Sequence, residues 1–307
     1  MIILLTGATG FIGRAVADRL AGQGHVLRAL TRNPQVTQAR LPPGCRPFAW
    51  REGDPVPPEA LDGAEAVVHL AGESLAAGRW TTARKERIRS SRVDGTRAIV
   101  DAIGRMTVKP KFFAAASAVG YYGNAEDRSV DENAPAGEGF LAGICRAWEA
   151  EAFRAEALGV RTVALRLGLV LGKGGVLAKL VPVYRLGAGA TLGNGRQWWS
   201  WIHLEDAAGL LAHALASDHL RGAVNAIAGS VPQRDFARAL GRILHRPVLF
   251  RAPAFALRLA LGELASSLLE GQRATAEKAL QSGYHFRYPE LGPALRTAIA
   301  PEGGTGS

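Results

Sequence analysis

The chain has 307 residues, 48% of them apolar, and a formal net charge of +10. That length and apolar share fit one large domain, or a large one with a small appendage, and exclude wholesale disorder. The charge is compatible with a polyanionic partner, but the basic residues are scattered rather than blocked, so no nucleic-acid partner is expected and a phosphate-rich cofactor needs only a few of them.

Taken in chain order, Ile2–Thr6 (IILLT) reads as a short buried strand, and helical spacing follows over 11–21. Strands are predicted at 26–31, 66–70, 112–116 and 162–167, with a long helix at 82–103 and another at 142–158. Continuous apolar strands separated by helices imply a parallel sheet covered on both faces. Right-handed crossovers then give a doubly wound α/β fold. After about residue 172 the pattern loosens, with glycines, Pro182 and the Trp-rich run QWWSWI at 197–202. Helices are predicted at 203–217, 231–244 and 253–269, and a strand at 224–227. This gives a dinucleotide-binding unit at 1–172, with later elements contributed from about 203–245. A smaller, partly interleaved C-terminal substrate-side region follows at 173–301, then a flexible tail at 302–307. The apolar 255–269 segment reads equally as core or as the face of a homodimer.

Cys45 and Cys145 are the only cysteines, without metal-ligand spacing, so no metal site and a reducing, cytoplasmic setting are expected. The N-terminus lacks the basic start of a signal peptide, and no apolar run approaches the roughly 20 residues of a membrane helix.

Gly7-Ala-Thr-Gly10-Phe-Ile-Gly13 directly follows the first strand and opens a helix. In that context Gly7 permits the turn, Gly10 lets a pyrophosphate approach the backbone, and Gly13 lets the helix pack closely. Gly7, Thr9, Gly10, Phe11, Ile12 and Gly13 are therefore the expected phosphate-side contacts. The second strand ends in Thr31-Arg32-Asn33, with no carboxylate for a ribose 2′-hydroxyl. Arg32 and Thr31 instead suit a 2′-phosphate, so NADP is expected over NAD.

These residues resemble the extended short-chain dehydrogenase/reductase superfamily. His69-Leu70-Ala71-Gly72 resembles its segment along the adenosine and ribose, with Glu73 following. SAVGYYG, which starts at Ser117 after Ala116, resembles its serine-bearing loop. RLGLVLG, from Arg166 through Val170, resembles the strand bordering the nicotinamide, and WIHLED its late helix start. LAGESL with RW, then YYG, CRAWE, RLGLVLGKGG, GNGRQWWSWIH and GYHFRYPEL together resemble an atypical subfamily labelled "epimerase family protein", the YfcH-type proteins. The resemblance implies a Rossmann-like fold with a small C-terminal region.

In that superfamily a Ser polarises the substrate oxygen, a Tyr exchanges the proton, and a Lys one helical turn on lowers the Tyr pKa and holds the nicotinamide ribose. Matching the downstream Glu to Glu149 puts Tyr at Leu141 and Lys at Cys145, where neither role can be filled. Ser117 is present. Tyr121 or an outside proton source is the expected replacement for the missing Tyr, Tyr122 is as readily a packing residue, and Glu73 and Arg92 are expected to reach the cofactor or site. Arg87 and Arg89 read as a solvated face, the Trp198, Trp199 and Trp201 cluster as core or interface before base stacking, His69 as buried strand, His203 as a helix-start residue, and Cys145 as a buried, inert thiol. The resemblance implies NADP-dependent oxidoreductase or epimerase-like chemistry on a small molecule. A catalytically silent NADP-binding sensor is the alternative.

Overall fold

The computed structural model describes residues 1–300; the tail predicted at 302–307 falls outside the described residues. Seven parallel strands form the main sheet: β1 (Ile2–Thr6), β2 (Val26–Thr31), β3 (Arg46–Ala49), β4 (Ala66–His69), β5 (Phe112–Ala118), β6 (Arg161–Leu167) and, after two strands of a second sheet, β9 (Gly222–Ala226). Their spatial order is β9-β6-β5-β4-β1-β2-β3, so the winding direction reverses between β1 and β4. A crevice opens beyond the carboxyl ends of the strands at such a reversal.

The unbroken apolar strands follow from two cores, one on each face. Side chains alternate across a strand, so Ile3, Leu5, Leu27, Ala29, Ala66, Val68, Phe112 and Ala114 enter one core, while Leu4, Leu30, Val67, Phe113 and Ala115 enter the other. Helix α1 (Phe11–Gly22) covers the first face with Val16, Ala17 and Leu20, beside α4 (Leu204–Ala216). Helices α2 (Thr82–Arg105) and α3 (Phe140–Phe153) lie together on the second.

A smaller sheet joins β7 (Leu169–Leu171) in parallel to β8 (Trp198–His203), and β8 antiparallel to β10 (Gly229–Pro232). Trp199 and Trp201 of β8 fill a third core with Phe236 and Leu240 from the helix Gln233–Ile243, which settles two of the three Trp as core. Trp198 is half-buried, and its Nε1 donates to Asp127 at 2.9 Å.

Several elements differ from expectation, four of them for clear physical reasons. β3 was missed because it is a short edge strand carrying Pro47, with no fully buried residue. The helix predicted at 231–244 begins at Gln233, since the chain arrives extended as β10 and Pro232 caps the helix. The helix Leu177–Arg185 carries Pro182 inside it, which hid it. The apolar stretch at 253–269 is not one helix. Gly262 takes φ +62 and divides it into Ala254–Leu261, a short 3-10 turn and Ser266–Leu269. Phe255 and Leu259 on the first piece are 73% and 77% exposed, so that piece is not core. No helix among the described residues is long and apolar enough to cross a membrane.

Candidate functional site

The β1–α1 turn is built against backbone on two sides. Gly7 sits at φ +71, and a Cβ there would meet the Leu70 carbonyl carbon and Ala71 nitrogen at 2.8 Å. At Gly13 a Cβ would lie 2.0 Å from the Gly7 carbonyl oxygen. Gly10 is exposed, and a Cβ there would meet only that oxygen, at 3.1 Å. Helix α1 has no side-chain cap and no acidic residue in its first turn, so its leading N–H groups face the crevice unsatisfied. The turn therefore offers an anion both approach and donors. Thr9 is exposed here, Ile12 is half-buried, and the Phe11 ring packs against the glycines at 172, 174 and 175, next to Val170.

Thr6 and His69 hold the floor. Thr6 Oγ1 accepts from the amides of Leu70 and Ala71 at 3.2 and 3.1 Å, so its proton goes to His69 Nδ1 at 2.8 Å. His69 is fully buried, its Nε2 has no partner, and burial lowers its pKa to about 4. An unfolded chain takes this proton near 6.5 and the native chain only near 4, so native stability falls as pH drops through that window. We expect a loss on the order of 3 kcal/mol from this group between pH 6.5 and 4. Urea titrations across that range should show a shallower pH slope for His69→Gln; identical slopes would mean that His69 titrates normally.

At the end of β2, Thr31 Oγ1 bonds Thr37 Oγ1 at 2.8 Å and so shapes the turn, while Asn33 accepts from Val36 N at 3.3 Å. Arg32 is exposed and has no ion-pair partner among the described residues. Glu52 lies near it, unnoticed in the sequence; local desolvation raises its carboxyl above the ordinary value, against the pull of Arg32 and Arg92. Glu73 pairs with Arg84 at 3.4 Å, and its amide donates to Ser91 Oγ at 3.0 Å, tying the loop after β4 to α2. Arg92 lies against Gly72.

At the far end of the crevice, β5 carries Ala116 and Ser117 against α3. Ser117 Oγ donates to Glu149 Oε1 at 2.6 Å. Arg166 donates to both oxygens of the same carboxylate, from Nε at 2.9 Å and Nη2 at 2.8 Å, and from Nη1 to the Tyr122 hydroxyl at 2.8 Å. Tyr122 passes its proton to Asn225 Oδ1 at 2.7 Å. Burial pushes the Tyr122 hydroxyl up to about 12; burial also opposes the Arg166 charge, but the Glu149 carboxylate outweighs it and holds that pKa above the ordinary value. Arg166, expected beside the cofactor, is 3% exposed, and its guanidinium donates to Glu149 and Tyr122. Glu149, read from sequence only as a landmark, is the hub. Its signal was available: helical spacing places it on the apolar face of α3 with Cys145, Trp148 and Ala152, and a buried carboxylate needs a partner.

Tyr121 is half-buried with its ring 3.5 Å from the Arg166 guanidinium carbon, and its hydroxyl has no partner among the described residues. Leu141 packs on Gly120, and Cys145 is buried beside Ser117 and Arg92. Burial, then the Glu149 carboxylate, pushes the Cys145 thiol up to about 11, so it stays neutral. The Leu141–Cys145 face of α3 thus borders Ser117. Arg87 and Arg89 are exposed, and His203 starts α4, its ring accepting from Glu205 N at 3.3 Å. No cluster of metal-ligating side chains occurs among the described residues.

A parallel sheet with this reversal, a glycine turn at its first strand and a serine at the end of β5 define a dinucleotide-fold protein of the short-chain dehydrogenase/reductase type. The chain belongs to the NAD dependent epimerase/dehydratase family, whose model matches residues 3–226; a domain of unknown function (DUF1731) matches 252–298. It is 37% identical to epimerase family protein YfhF of Bacillus subtilis over 98% of both chains. A crystal structure of human epimerase family protein SDR39U1 with NADPH superposes with a TM-score of 0.87 at 32% identity, covering 97% of this chain and 99% of that one. A UDP-glucuronic acid 4-epimerase from Bacillus cereus shares the fold, with a TM-score of 0.79 at 18% identity over 97% and 98% of the two chains.

Proposed function

We propose that this protein is an NADP(H)-dependent oxidoreductase or epimerase-like enzyme acting on a small molecule without a Tyr–Lys pair. The observation that carries the reading is the crevice: an uncapped helix start over a glycine turn, with an exposed, unpaired arginine at the end of β2. The related human protein crystallised with NADPH supports it. Gly7 through Gly13 would hold the pyrophosphate, Arg32 and Thr31 the 2′-phosphate, and Leu70, Ala71, Gly72 and Glu73 the adenosine side. Ala116 and Val170 would border the nicotinamide, which when bound gives or takes a hydride. Nucleic acid and membrane have no place in this reading.

Ser117 has committed its proton to Glu149, so its oxygen is left to accept from a substrate hydroxyl. Tyr121, its own hydroxyl uncommitted, exchanges the substrate proton. A second reading, cofactor binding without turnover, is favoured by the neutral Leu141 and Cys145 where acid and cation would stand. NADPH mixed with aldehydes and ketones, and NADP with alcohols and nucleotide sugars, separates the two by nicotinamide absorbance. Sustained consumption, or a nucleotide sugar converted to its epimer without net consumption as read by NMR, supports the enzyme; tight binding with neither across the panel favours the silent protein.

Arg32 should set cofactor choice. A guanidinium on a phosphate is worth roughly 1.5–3 kcal/mol. Arg32→Ala is expected to weaken NADPH about tenfold to a hundredfold and leave NADH nearly unchanged in a fluorescence titration. Equal losses for both would place the 2′-phosphate elsewhere.

A further inference from the structure

We infer that Arg92 supplies the cation missing at Cys145, and that it binds the nicotinamide half of the cofactor. The inference rests on the crevice being an NADP(H) site. The Arg92 guanidinium lies over Gly72: a Cβ there would meet Cζ, Nη2 and Nη1 at 3.4, 3.5 and 3.6 Å, near-equal distances that set the plane face-on to the backbone. Gly72 directly follows Leu70 and Ala71, which touch the Gly7 turn. On its other side the guanidinium meets the Trp148 ring, 5.2 Å from its centre, on the same helix as Cys145 and three residues from it, and its charge is felt at the Cys145 thiol. It therefore sits between the phosphate turn and Ser117, beside the position where the superfamily's lysine would stand.

The charge has no direct ion pair. Among the described residues no carboxylate lies within ion-pair distance of Arg92; Glu73, which pairs with Arg84, and Glu52 act on it only from farther off. Only Nη1 donates, to the Ile88 carbonyl at 3.2 Å and Ser91 Oγ at 3.4 Å; Nε and Nη2 donate to no described group. Neither nitrogen is among the fully sealed, unpartnered polar atoms, so both keep some exposure. Desolvation depresses the Arg92 pKa, and the more distant Glu73 and Glu52 only partly offset it. A planar fork with two free donors suits the paired hydroxyls of a ribose and the neighbouring phosphate oxygen.

The test compares NADPH with adenosine 2′,5′-bisphosphate, which lacks the nicotinamide half, by calorimetry. Arg92→Met is expected to weaken NADPH about tenfold and leave the bisphosphate within about twofold. Adding Cys145→Lys to Arg92→Met should restore most of the loss, because the charge returns to the same space. Should Arg92→Met not fold, Arg92→Lys is read in the same two titrations, with about a threefold loss expected for NADPH alone. Equal losses for both ligands would move Arg92 to the adenosine-side phosphates, and no loss for either would make it structural; both results overturn the inference while the cofactor reading stands. If the unmodified protein binds neither ligand, the cofactor reading falls and takes this inference with it.

Discussion

Glu149→Ala is expected to cost about 3–5 kcal/mol of folding stability. Glu149 and Arg166 are 4% and 3% exposed, and two hydrogen bonds join them. Removing the carboxylate strands a guanidinium inside the protein with only the Tyr122 hydroxyl and, at 3.4 Å, the Glu132 carbonyl as acceptors. It also takes the acceptor from Ser117 and loosens the cation against which the Tyr121 ring lies. The double change Glu149→Leu with Arg166→Met removes both charges at similar volume and should recover most of the loss. Urea denaturation of the three proteins reads this directly. A loss below about 1 kcal/mol for Glu149→Ala would mean that water reaches Arg166.

Gly13→Ala should disable the cofactor turn. The added methyl falls 2.0 Å from the Gly7 oxygen and 2.7 Å from its carbonyl carbon, both backbone atoms that cannot swing aside. Helix α1 cannot retreat either, because Val16, Ala17 and Leu20 are fully buried against the sheet and α4. We expect at least about 1–3 kcal/mol of destabilisation, the usual range for overpacking, and NADPH binding below detection. Gly22, at the other end of α1, is the control. A Cβ there meets nothing within 4 Å, so Gly22→Ala should bind normally and gain up to about 1 kcal/mol. Normal NADPH binding by a folded Gly13→Ala protein would show that the turn does not hold the phosphates.

The features legible in the sequence are those whose causes are local. β1, β4 and β5 are buried on both faces, so each shows as a nearly unbroken apolar run, while β2 keeps Leu27, Ala29 and Leu30 around Arg28. The glycine turn needs only residues 7–13, and Arg32 only its place after β2. Features that depend on distant partners did not show. Glu149 looks like one polar residue in FLAGICRAWE until Arg166, 17 residues on, and Ser117, 32 residues back, are brought to it. Tyr122 gains its meaning from Asn225, 103 residues away. Arg92 could be placed on a helix from its spacing, but that its charge lies beside Cys145 depends on how α2 and α3 pack. The outward turn of Phe255 and Leu259 is likewise set by the break at Gly262.

The affinity of the unmodified protein for NADPH relative to NADH, titrated in the same buffer by calorimetry, is the most direct measure of what this crevice holds. With Arg32 outside any ion pair at the end of β2, and Thr31-Arg32-Asn33 carrying no carboxylate of its own for a ribose hydroxyl, NADPH should bind at least about tenfold more tightly. Equal affinities, a preference for NADH, or no binding of either would contradict it.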